Sequence, residues 1–328
     1  MDTFLQQIIN GLTLGSLYAI VALGYTMVYG IIQLINFAHG EVVMFGAMIT
    51  LSVISAAAGS GLPPAAMILM GVAVAIPACM ALGYLLERAA YRPLRKAPRL
   101  APLITAIGMS IVLQQIALMI WSRNILSFPQ ILPVTLYEVA GASVSSLQII
   151  IIGLCLVMMT GLAWIVYGSR LGTAMRATAE NPEIARLMGV DVDRVIAMTF
   201  IIGAGLAAVA GLMVGIYYGL AHYTMGATLG LKAFSAAVLG GIGNIPGAMV
   251  GGILLGLVEA LGAGYIGELT DLCGYSTLNF LFQSRCADGG NLVLFGSNYQ
   301  DVFAFVVLIL VLVFRPSGLL GERVADRA

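Results

Sequence analysis

Stretches of about 20 apolar residues, the length of a bilayer-crossing helix, recur throughout this chain. They lie at 11–35, 41–58, 64–86, 101–121, 147–167, 195–219, 234–262 and 300–314. In hydrocarbon every backbone N–H and C=O needs a partner from the protein, which leaves only helices and closed barrels. The period-2 alternation of a barrel strand is absent. The expected class is all-α: a polytopic transmembrane helical bundle of about eight or nine membrane segments. No connection is long enough to fold separately, so 1–328 reads as one membrane domain.

Charge supports this and assigns sides. Only 9% of the residues are charged and 60% are hydrophobic, whereas a soluble domain carries about 25% charged residues. Five of the 15 basic residues fall within 88–99, four within 170–194 and three within 315–327. These segments are expected on the cytoplasmic side. As short loops between spans they give no support to nucleic-acid binding. The opening MDTFLQQIIN has no basic residue, and none precedes Arg88, so it does not read as a secretory signal. Cys79 and Cys155 lie in apolar runs as small core residues. Cys273 and Cys286 flank a polar segment expected outside, where bonded and free states both stay open.

Sidedness then demands a break. The run at 195–219 leaves a basic loop and ends outside, while the last run must start outside to end in the basic tail. The segment between them has to start and finish outside, which one crossing cannot do. Residues 241–247, GIGNIPG, supply the interruption, and the arm before it would reach only about 22 Å. A hairpin or re-entrant element is expected, bent at 244–246. The first half carries a similar polar interruption, INFAHGE at 35–41. Paired breaks in two halves of a chain point to a transporter's substrate path. Candidate path or gate residues are therefore Asn36, His39, Gly40 and Glu41, with Gly241, Gly243, Asn244, Pro246 and Gly247. The N-terminus is expected outside.

On a helix Asn36, His39 and Gly40 would share a face, with Glu41 pointing elsewhere. Intramembrane ionisable groups are costly and hence functional candidates; the alternative is a polar helix end, with Glu41 favouring the N-terminus of the next helix. HGEVV is not a zinc-binding HExxH, and no metal or catalytic set is assigned. Glu259 and Lys232 are expected to snorkel to the outer interface. Tyr18, Tyr25 and Tyr29 lie near one face, for aromatic packing or for a path. Small-residue stripes at Gly203, Ala207, Gly211 and Gly215, at Gly243, Gly247 and Gly251, and at Gly252 and Gly256 are expected to pack helices closely within the subunit.

The segment 168–195, GSRLGTAMRATAENPEIARLMGVDVDRV, is amphipathic and carries both charge signs. Asn181 can cap a short helix with Pro182 in its first position and Glu183 in its first turn. Ile184, Leu187 and Met188 would lie on one side before a stop at Gly189. Such a helix is either a docking knob for a cytosolic partner or an ordinary surface loop. A Walker A loop is absent, because the two lysines, Lys96 and Lys232, are each followed by Ala. Energy must come from another subunit, from a gradient, or not at all.

Three blocks, NFAHGEVVMFGAM, ATAENPEIARLMGVDVDRV and SNYQDVFAFVVLILVLVFRPSGLLGERVADRA, closely resemble the permease subunits of bacterial high-affinity branched-chain amino acid ABC importers, the LivH type. The resemblance implies a non-enzymatic inner-membrane subunit paired with a second, LivM-like permease. Two cytosolic ATPases would bind ATP and Mg, leaving no cofactor on this chain. A periplasmic binding protein would deliver leucine, isoleucine or valine. Ala179, Glu180, Asn181, Pro182, Glu183, Ile184, Ala185, Leu187, Met188 and Gly189, within the cytoplasmic segment 168–194, would form the coupling helix to an ATPase. The segment at 272–295, inside an outer insertion spanning about 265–299, is longer than the family's usual connection. The rival reading is a gradient-driven amino acid carrier or channel.

Overall fold

The computed structural model describes residues 2–95, 97–98, 100–129, 134–139, 141–269 and 299–321. Helix α1 (Asp2–Ile32) is followed by α2 (His39–Ala57), α3 (Pro64–Leu86), a π-helical turn (Glu87–Tyr91) and α4 (Leu100–Trp121). Then come α5 (Ser146–Gly168), α6 (Arg170–Glu180), α7 (Pro182–Leu187), α8 (Val192–Tyr218), α9 (Met225–Gly240), α10 (Ile245–Leu269) and α11 (Gln300–Phe314). Seven of these helices are long and apolar enough to cross a membrane, and α9 and α11 are shorter apolar helices. The protein is thus a multi-pass helical membrane protein. At the end opposite the basic loops, β1 (Leu126–Ser127) pairs with β4 (Leu220–Ala221), and β2 (Leu136–Val139) with β3 (Ala142–Ser145), both antiparallel. Gln6 Oε1 accepts from the Ser143 N–H at 2.9 Å, so α1 begins at this end.

Helices α1, α2 and α8 bury most of their length, whereas α3, α4 and α5 leave one apolar face bare. The centre is the crossing of α1 with α10. A Cβ on Gly15 would meet the Ile253 backbone, one on Gly252 the Ala19 backbone, and one on Gly256 the Gly15 backbone. Lipid tails are as apolar as leucine, so such contact relies on dispersion between closely approaching backbones. The other stripes also work inside the subunit: Gly211 seats against Val43 and Ala47 of α2, and Gly251 against Ala236 and Gly240 of α9.

Both expected breaks are present. The second is a tight link at 241–244 with Gly241 at φ +107° and Gly243 at φ +93°, conformations glycine adopts without Cβ strain. Its polar backbone is closed by residues beyond α11: Leu319 N–H donates to Leu239 C=O at 2.9 Å and Leu320 N–H to Gly240 C=O at 3.0 Å. Asn244 adds a donor to Leu320 C=O at 2.7 Å and an acceptor for Gly247 N–H at 3.1 Å. Pro246 lies in the first turn of α10, just past the bend. The first break is complete: α1 stops at Ile32, Gln33 takes φ +51°, and 33–38 is non-helical. This corrects the shared-face expectation, because Asn36 sits in the link and only His39, Gly40 and Glu41 belong to the helix that follows. Helix α10 runs to Leu269, into the start of the expected outer insertion. The remainder of that insertion to 298, with Cys273 and Cys286, lies outside the described residues.

The expectation that Lys232 and Glu259 snorkel separately is overturned. Lys232 Nζ lies 2.7 Å from Glu259 Oε1 and 2.6 Å from Asp301 Oδ1, and the Tyr18 hydroxyl donates to Glu259 Oε2 at 2.9 Å. Glu259 is only 1% exposed. Once the hairpin bends, residues 27 positions apart face each other, and a charge in hydrocarbon is held better by an opposite charge than by a stretched side chain. The cluster ties α9, α10, α11 and α1 together.

This packing makes two stability outcomes testable. Gly256→Leu should lower the stability of the detergent-solubilised protein by about 1–3 kcal/mol or more through overpacking, while Gly153→Leu, where a Cβ meets open space, should leave the melting temperature within a degree or two; equal shifts would refute the α1–α10 contact. Lys232→Met, which strands Glu259, should cost about 3–5 kcal/mol. Adding Glu259→Gln should recover part of that loss in the same thermal scan.

Candidate functional site

Three regions carry the sequence-predicted residues. The first is the start of α2. His39 is buried, its ring seated where Gly24 has no side chain and edge-on to Tyr25 with centroids 5.0 Å apart. Gly40 abuts the backbone of Gly226 and Gly230 in α9, an approach that any Cβ would block. Glu41, 0% exposed, turns to α4 instead, where its Oε1 accepts from the Ser110 hydroxyl at 2.9 Å and Gln114 Nε2 at 2.8 Å. Neither Glu41 Oε2 nor His39 Nε2 has a hydrogen-bond partner among the described residues. The polar-helix-end reading is met only in part: Glu41 lies in the first turn of α2, but the N-cap is Ala38 and no side chain caps the helix. Ser110 and Gln114 are functional candidates that sequence reasoning missed. A signal existed: two polar side chains four apart on one face of the apolar run 101–121 imply a polar partner opposite.

Beside this turn lies a cavity of about 340 Å³ between α4 and α9. Phe37, Ile107, Ile111 and Leu231 form its apolar walls, and Tyr25 and Ser110 its polar edge. Phe234 packs tilted between Phe37 (5.5 Å) and Tyr25 (6.2 Å), which backs the aromatic wall. The two breaks do meet: Tyr29 and Ile35 from one side and Ile242 from the other line a common small pocket with Tyr25. Gly30 in the last turn of α1 lies against Gly243. In the second break Gly241, Asn244 and Gly247 serve mainly to close the hairpin, as the hydrogen bonds above show.

The second region is the amphipathic segment between α5 and α8. Asn181 caps α7, its side chain accepting from Glu183 N–H at 3.0 Å and Ile184 N–H at 3.1 Å. Pro182 and Glu183 occupy the first turn, and Gly189 at φ +84° ends it. The expected coupling helix 179–189 is thus shorter than read: Ala179 and Glu180 belong to α6, because Asn181 leaves helical geometry at φ −156°. Ala185 is buried, whereas Ile184 is 58%, Leu187 87% and Met188 80% exposed.

The third region roots this knob. Asp193 at the start of α8 pairs with Arg95 (2.6 Å), Arg92 (2.9 Å) and Arg186 of α7 (3.7 Å), and Arg95 also pairs with buried Glu87. Glu87 opens the π-helical turn, and Tyr91, which closes it, donates its hydroxyl to Asn36 Oδ1 at 2.7 Å. A groove of about 710 Å³ runs between the end of α1 and this ion-pair cluster. In the sequence Arg92 and Arg95 mark only a side of the membrane, since their pairing with Asp193 spans about 100 residues.

Comparison with known proteins bears on this arrangement. Residues 7–312 match the family described as branched-chain amino acid transport system / permease component. The high-affinity branched-chain amino acid transport system permease protein BraD of Pseudomonas aeruginosa is 45% identical over 324 residues, covering 97% of this chain and 96% of the relative. The corresponding LivH of Escherichia coli K12 is 43% identical over 325 residues, with the same coverage. The probable LivH of Methanocaldococcus jannaschii is 25% identical over 314 residues, covering 93% and 89%. No solved structure gives a significant match. With coverage of this extent and a paired-break, multi-pass fold, the chain belongs to the family of branched-chain amino acid transport system permease components.

Proposed function

We propose that this chain is one membrane half of an ATP-driven importer of leucine, isoleucine and valine in a bacterial inner membrane. The observation that carries the reading is α7: a capped six-residue helix that leaves Leu187 and Met188 almost bare, on a family member without a nucleotide-binding loop. Two exposed apolar side chains on a cytoplasmic tip suit a groove on another protein. The ATPases, which hold ATP and Mg, supply the power, and this chain carries no cofactor of its own. A second, LivM-like permease completes the path, and a periplasmic binding protein loads it from the outer end. The bare faces of α3, α4 and α5 leave ample surface for the second permease and for lipid.

A route for the stroke is also proposed. A tilt of α7 pulls Arg186 against Asp193; Arg95 passes the strain to Glu87 and so to the π-helical turn. Tyr91 at the far end of that turn then moves Asn36, in the link before His39. A π-helical turn is a register shift within a helix, which suits it to act as a hinge. Carrier or channel behaviour is not favoured, because the relatives are permease components of transport systems by name.

Reconstitution in liposomes tests the reading. Concentrative uptake of labelled leucine should need ATP, both ATPases and the binding protein. Uptake by this chain alone would overturn it. The double variant Leu187→Glu and Met188→Glu should insert normally yet lose uptake by about tenfold or more, as expected when apolar anchors are replaced by charge. Tyr91→Phe keeps the ring against Phe200 (5.1 Å) and removes one hydrogen bond. It should cut leucine moved per ATP hydrolysed several-fold, about 1 kcal/mol, with ATPase stimulation retained.

A further inference from the structure

The unexplained group in this bundle is Glu41. The buried carboxylate has two neutral donors on one oxygen and none on the other, and no cation contacts it among the described residues. Its place in the first turn of α2 offers the positive end of a helix dipole, which favours a negative charge there but does not neutralise it. A carboxylate kept inside a membrane protein without a permanent counter-ion suits a cation that comes and goes.

Its surroundings describe that cation. Ser110 lines the 340 Å³ cavity and donates its one proton to Glu41, so its oxygen lone pairs are free to accept. An ammonium group in the cavity would bond to Ser110 Oγ with the carboxylate charge directly behind it. Tyr25, whose hydroxyl lies beside Gly230 at the same edge, offers a second oxygen. Away from this polar corner the walls are Phe37, Ile107, Ile111 and Leu231. Sites of this kind span about 300–1,000 Å³, so the cavity is at the small end, suited to a single amino acid. Ile107, Ile111 and Leu231 are about half exposed, which leaves the site open at the surface of the subunit.

We propose that Ser110, backed by Glu41, is a transient binding point for the α-ammonium group of the amino acid in transit, whose branched side chain rests on Phe37, Ile107, Ile111 and Leu231. This rests on the importer reading above and adds the place and chemistry of cargo contact. Glu41 acts through Ser110 and is a positioning residue, since it does not itself line the cavity.

The test uses the full importer in liposomes at saturating loaded binding protein. Glu41→Gln keeps an acceptor for both Ser110 and Gln114, removes the charge and puts an NH2 group in place of the unpartnered oxygen. It should lower the leucine uptake rate about 10- to 100-fold, the weight of a charge-assisted hydrogen bond, and Glu41→Asp should recover part of it. Ser110→Ala should show a comparable loss and serves as the test if the Glu41 variant fails to insert. In an otherwise native importer carrying Ala227→Cys on the cavity wall, leucine should slow thiol labelling during turnover, and Glu41→Gln should abolish that protection. Glu41→Gln uptake within about twofold of wild type, or labelling indifferent to leucine, would overturn the inference. An unmodified importer that moves no leucine with ATP would refute the importer reading instead.

Discussion

A helix that stops inside hydrocarbon frees backbone groups that no water will satisfy. The two broken elements of this chain exist only because other segments satisfy them. At the hairpin tip, residues beyond α11 turn back and donate two N–H groups to the last carbonyls of α9, while Asn244 serves as donor and acceptor at once. At the first break Tyr91 supplies a hydroxyl to Asn36, and Asn36 C=O accepts from His39 N–H at 3.0 Å. Helices α9 and α11 reach only about 24 and 22 Å at 1.5 Å per residue, and the tail that follows α11 closes the end of α9.

The same economy governs the charges. Within the membrane part, Lys232, Glu259, Asp301 and Tyr18 form a closed set that binds the hairpin to its neighbours. At the end that carries the basic loops, Asp193 gathers three arginines from two segments and roots α7. Glu41 stands apart, charged in character and incompletely paired, at the point where α1, α2, α4 and α9 converge. Two sets act as fasteners and the third has the make-up of a receptor, which is why cargo contact is assigned to the third.

Close backbone contact and function are linked here. Gly24 leaves room for the His39 ring, and Gly40 lets the first turn of α2 press against α9. Without those absences of side chain, Glu41 would not reach Ser110 and the cavity would lose its polar corner.

Much of this was legible in the residues themselves. Apolar run length specifies membrane-spanning helices, because the bilayer has one thickness. Basic clustering puts three segments at one end of the bundle, and that placement combined with GIGNIPG demands the hairpin by parity alone. Asn181, Pro182 and Gly189 mark α7 because capping chemistry is local. The distant partners of Glu41, Glu259, Asn36 and Asp193 were not legible. Their bonds to Ser110, Tyr18, Tyr91 and Arg92 span 55 to 241 positions, and no local periodicity encodes which distant polar group meets which. Chain chemistry determined that polar groups had to be paired inside the membrane; only tertiary packing decided the pairs, because that choice depends on how helices cross and where glycines let them touch.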